Sequence, residues 1–104
     1  MTKDQWKSLY CILEDIYSDF EEAYQESSNG RNKNIRDAAN KKVRNSIRLA
    51  DIHIKDHSEA YELLTGDKEI PGYQRTFNYS DFLKPDFFNV EMDILLRKIK
   101  NFIN

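Results

Sequence analysis

Apolar positions in the first quarter of the chain recur at helical spacing. Trp6, Tyr10, Leu13, Tyr17, Phe20 and Tyr24 are separated by four, three, four, three and four residues, the repeat that places side chains on one face of an α-helix. Leu9, Ile12, Ile16 and Ala23 widen the seam into a broad stripe, which suits a globular bundle better than a two-stranded coil. Thr2 followed by Gln5 has the form of a capping box. Ser27-Ser28-Asn29-Gly30 closes the segment, with Asn29 or Gly30 available for a left-handed cap. The pattern predicts a helix over about residues 3–27.

A second repeat runs through Val43, Ile47, Ala50, Ile54, His57, Tyr61 and Leu64. It predicts a helix over about residues 33–64, stopped by Gly66. At about 1.5 Å per residue that helix would be roughly 45 Å long, so a bend or break is expected around Asp56-His57-Ser58. The short connection before it favours an antiparallel hairpin. Residues 66–80 carry Pro71, Gly72, Tyr73, Phe77 and Tyr79 and read as an aromatic loop, long enough to be packed down or functional. Phe88, Met92, Leu95, Ile99 and Phe102 then mark a third helix over about 81–103, starting at Ser80 or Asp81 or restarting at Pro85, a residue suited to a first helical turn. The expected fold class is all-α: an antiparallel helical hairpin plus a C-terminal helix, in a single domain spanning 1–104.

Three broad stripes bury more when doubled, so a homo-oligomer is expected. Its interface is assigned to Trp6, Tyr10, Tyr17 and Tyr24, because these rings join an apolar body to a polar tip.

Composition narrows the class without naming a job. The chain has 104 residues, 39% hydrophobic and 33% charged, with 6 Phe, 6 Tyr and 1 Trp. Those aromatics supply a core that disordered chains lack. No apolar run approaches the roughly 18 residues of a membrane span, and the first residues have no signal-like apolar region, so a cytoplasmic protein with no membrane contact is expected. The abundance of Asn, Ile, Lys, Asp and Tyr suggests an AT-rich bacterial or phage genome. The single cysteine, Cys11, excludes an internal disulfide and a Cys-based zinc site, and its place beside Tyr10 and Ile12 suggests a buried, inert thiol.

Net charge is −2, but it is unevenly spread. Residues 1–30 hold two bases and seven acids, a net of −5; residues 31–55 hold eight bases and two acids, a net of +6; residues 56–104 hold six bases and nine acids, a net of −3. Within the basic segment Lys41, Arg44, Arg48 and Lys55 fall on one helix face, extended by Lys33 and Arg36. Two readings compete. The stripe can lie beside Asp15, Asp19, Glu22 and Glu26 of the first helix and cancel their charge across the hairpin. Or it can hold the phosphates of a nucleic acid or nucleotide, with counterion release driving affinity.

Ala38-Ala39-Asn40-Lys41-Lys42-Val43-Arg44 resembles the small-residue and basic segment of bacterial linker-histone-like proteins, which implies DNA binding. Arg48 and His53, four residues intervening, are similar to the Arg-x4-His motif of HEPN-type ribonucleases. That likeness implies a dimer in which His53 acts as acid or base and Arg48 stabilises phosphorane charge without metal. His53 and His57 are four apart, a spacing that could offer two imidazoles to one metal; Ile54 stands where a zinc protease carries Glu, and neither a metal nor a cofactor is expected. The sequence therefore points to a small non-enzymatic helical binding protein with an anionic partner. The alternatives are a protein–protein adaptor or inhibitor of bacterial or phage type, and a HEPN-like ribonuclease.

Overall fold

The structure, a computed structural model, describes residues 1–66 and 84–104. These form four helices: α1 (Lys3–Asn29), α2 (Lys33–Lys55), α3 (Ser58–Thr65) and α4 (Pro85–Ile103). No strand occurs among the described residues. The aromatic segment expected at residues 66–80 lies, from 67 onward, outside the described residues, as do residues 81–83.

Local chemistry sets the helix ends. Thr2 Oγ1 accepts from the Gln5 backbone N–H at 3.2 Å, and Gln5 Oε1 accepts from the Thr2 N–H at 2.8 Å, which completes the capping box. Asn32 caps α2 by accepting from the Ile35 N–H at 3.0 Å. Pro85 opens α4, where its missing N–H costs no helical bond.

The end of α1 departs from expectation. Neither Asn29 nor Gly30 is left-handed; Gly30 has φ −58° and ψ 143°. Its glycine is required by proximity instead. A Cβ there would lie 2.8 Å from the Glu26 carbonyl oxygen and 3.0 Å from side-chain carbons of Ile35 and Arg36. Arg36 Nη1 donates to the Gly30 carbonyl at 3.0 Å, so the hairpin turn is closed by the helix it introduces. The left-handed glycine is Gly66, with φ 83°, at the end of α3.

The second repeat is broken where its length required. Asp56 ends α2, and His57 turns extended, at φ −129° and ψ 104°, before α3 begins. The break lets α3 fold back, so that Ala60 and Tyr61 join one continuous core with α1, α2 and α4.

The α1 stripe is wide because it serves two neighbours. Leu9, Leu13, Ile16, Phe20 and Ala23 meet the Val43, Ile47, Ala50 and Ile54 side of α2 and the Phe88, Met92, Leu95 and Ile99 side of α4. Phe20 is fully buried and meets Phe88 edge-on at 4.6 Å between ring centroids. At the aromatic edge, Trp6 stacks on Phe102 at 4.7 Å, Tyr17 Oη donates to Asn89 Oδ1 at 2.7 Å, and Tyr24 Oη donates to the Asp86 carboxylate. Lys98 Nζ donates to the Leu63 carbonyl at 3.1 Å and ties α4 to α3.

Two measurements test this packing. Gly30→Ala should cost about 1–3 kcal/mol in chemical denaturation, the usual penalty for forcing atoms into filled space; an unchanged midpoint would show that the turn has room. Burial, followed by the Glu21 and Asp93 carboxylates, raises the Tyr17 phenol from 10.0 to about 12. The fold therefore favours the neutral phenol. Its contribution is fully present below pH 10 and lost as pH climbs toward 12, a loss that Tyr17→Phe should abolish in melts across that window.

Candidate functional site

Seven residues of α2 are buried: Ala39, Val43, Ser46, Ile47, Ala50, Asp51 and Ile54. Lys41, Arg44 and Arg48 lie on the side turned away from them, and all three are exposed. At about 100° per residue they fit within an arc of roughly 60°, a single line of positive charge. None of the three makes an ion pair among the described residues.

Lys55 is different. Its Nζ lies 2.7 Å from Asp51 Oδ2, and the two side chains are only 18% and 12% exposed. The fourth position of the stripe is thus engaged at the edge of the core. A sequence signal for this existed, since an acid four residues before a lysine is a helical pair; the burial of Asp51 was not visible from spacing.

The acids of α1 do not meet the stripe. Asp19, Glu22 and Glu26 line a groove of about 360 Å3 between α1 and α2, and the α2 residues opposite are Lys42, Asn45, Ser46 and Leu49. Among the described residues no ion pair joins these acids to Lys41, Arg44 or Arg48, so the pairing that the sequence offered as one reading is not formed there. Ala23, Ala39, Ser46 and Ala50 are small and buried, while Lys41, Arg44 and Arg48 are exposed.

The other sequence-derived positions separate. Arg48 and His53 are five residues apart and so about 140° apart around α2; Arg48 is exposed and His53 half-buried. One chain does not bring them to a common face. His57 caps α3 beyond the break, so the two imidazoles do not share a helix face. Among the described residues no group of three His, Cys, Asp or Glu side chains is placed to hold a metal. Three of the four aromatic residues assigned to an oligomer contact touch α4 in the same chain, and Trp6 is only 4% exposed. Tyr10 packs half-buried against the core, its phenol raised above the usual value by a hydrogen bond to the Glu14 carboxylate and then by burial.

Cys11 corrects an expectation: its thiol is exposed. Successive residues of a helix are turned by about 100° about its axis, and Ile12 beside it is itself exposed, so company with Tyr10 and Ile12 does not imply burial. No helix among the described residues is long and apolar enough to cross a membrane.

Comparison of the chain with protein families, curated proteins and solved structures gave no match. The geometry of the α1–α2 hairpin is therefore what a functional reading has to stand on.

Exposure of Cys11 is directly measurable. A thiol-specific colorimetric reagent should titrate one thiol per chain in the native protein, as fast as in denaturant within about tenfold. A thiol that reacts only after unfolding would contradict the placement.

Proposed function

We propose that this chain is a non-enzymatic helical binding protein that holds the phosphate backbone of a nucleic acid on the outer flank of α2, through Lys41, Arg44 and Arg48. One observation carries the reading: three cations in a line, exposed and without an ion pair among the described residues. Unpaired charge on one rigid helix costs little to bring against a second charged rod, and release of condensed counterions favours the contact. A nucleic acid fits better than a free nucleotide. The groove on the same hairpin is lined by Asp19, Glu22 and Glu26, which would repel a phosphate sunk into it.

A protein partner is the second reading, supported by Val90 and Ile94 on the outer side of α4, 57% and 41% exposed. They are four residues apart and so share one face.

Fluorescence anisotropy with labelled oligonucleotides tests the proposal. With three phosphate contacts, log affinity should fall against log salt with a slope near −2 on single strands and near −2.7 on duplex. Arg44→Glu/Arg48→Glu should remove binding while circular dichroism stays helical. Lys55→Ala should leave the slope unchanged, since Asp51 already holds that ammonium. Absence of binding at low salt, or binding that survives the double reversal, would refute it.

A further inference from the structure

We propose that the outer face of the α1–α2 hairpin is a docking surface for a second copy of this chain, packed about a two-fold axis parallel to the two helices. The hairpin exposes three large apolar side chains. Ile12, Leu49 and Ile52 are 40%, 49% and 54% exposed, although each is large enough to be a core residue. Leu49 lines the groove with Asp19; Ile12 is two helical turns before Asp19 on α1, and Ile52 is one turn beyond Leu49 on α2.

Charge is divided between the two helices. Asp15, Asp19, Glu22 and Glu26 lie on α1, and Lys41, Lys42, Arg44 and Arg48 lie on α2, all exposed, with Lys42 in the groove beside the acids. A face that is acidic along one edge and basic along the other is complementary to itself under only one kind of rotation. An axis across the helices would stack α1 on α1 and oppose acid to acid. An axis along the helices lays α1 of one copy over α2 of the other, and the contact repeats twice by symmetry.

Register agrees with this choice. The antiparallel hairpin, with Asp19, Glu22 and Glu26 sharing a groove with Lys42, Asn45 and Leu49, puts Glu26 at the height of Lys42 and Asp19 at the height of Leu49. A parallel axis preserves height. Each copy's Glu26 then reaches the other's Lys41 and Lys42, Glu22 reaches Arg44, and Asp19 reaches Arg48. The surface shares its cations with the proposed nucleic-acid site, and carboxylates and phosphates are rival anions for it. It rests on the polarity of the face and not on nucleic-acid binding, so the two proposals fail separately.

The test is a charge swap read by sedimentation equilibrium. Wild-type protein should have twice the 12.4 kDa chain mass at low salt and move toward a single chain as salt rises. Arg44→Glu/Arg48→Glu alone and Asp19→Lys/Glu22→Lys alone should each sediment as single chains, with helical circular dichroism. Mixed one to one, they should restore the double mass, with native pairs at one side of the axis and charge-reversed pairs at the other. Leu49→Lys, on an exposed position that the fold does not use, should also give single chains. A wild-type mass of one chain at every concentration and salt would overturn the proposal, as would a double mass that survives both reversals, or a mixture that stays monomeric. The acid-reversed variant separates the proposals: it keeps the basic stripe, so it should still bind oligonucleotide if the proposed function holds, whatever its mass.

Discussion

Everything in this molecule follows from the double burial of α1. One helix supplies the side chains for two seams, against α2 along its aliphatic side and against α4 along its aromatic side, with Phe20 between them. Fully burying a large apolar side chain contributes roughly 1.5–3 kcal/mol, so these apolar contacts outweigh any exposed ion pair, worth about 0–1 kcal/mol. Packing therefore decides how α1 and α2 are rotated, and charge follows.

The rotation has a consequence for electrostatics. Gly30 lets the turn pass close to Glu26, Ile35 and Arg36, and the apolar sides of α1 and α2 face inward with Ala23, Ala39, Ser46 and Ala50 buried. The acids of α1 are left along the rim of a groove, and Lys41, Arg44 and Arg48 are left on a flank. Among the described residues no ion pair joins the acids of α1 to Lys41, Arg44 or Arg48. Such an arrangement keeps its field available to something outside the chain, whether a phosphate backbone or the complementary edge of a second copy. Both proposals above draw on this one fact, and Lys55, neutralised by Asp51, marks the limit of the available stripe.

Much of the fold was legible in residue spacing. The capping box at Thr2 and Gln5, the break at Asp56 and His57, the stop at Gly66 and the start at Pro85 are local events, written in residues that act on their own backbone. Non-local facts were not readable. Period alone shows that the α1 stripe is broad, but not that Trp6, Tyr17 and Tyr24 spend their breadth on α4 of the same chain. A periodic row of acids beside a periodic row of bases suggests pairing, but spacing does not say how two helices are rotated about their axes. Gly30 looked like a conformational cap and is a steric one, because the Glu26, Ile35 and Arg36 atoms that crowd it belong to a tertiary arrangement. The exposed Leu49 and Ile52 were hidden for the same reason: an apolar residue near a seam is not thereby in it.

The claim beneath both proposals is that the acids of α1 and the bases of α2 are uncoupled within one chain. A double-mutant cycle between Glu22→Gln and Arg44→Gln measures this directly, by urea denaturation at concentrations low enough to keep the chain monomeric. Additivity within about 0.3–0.5 kcal/mol is expected, as for residues that share no contact. A coupling of about 1 kcal/mol or more would show that the hairpin neutralises its own charge, and would leave no free stripe for any partner.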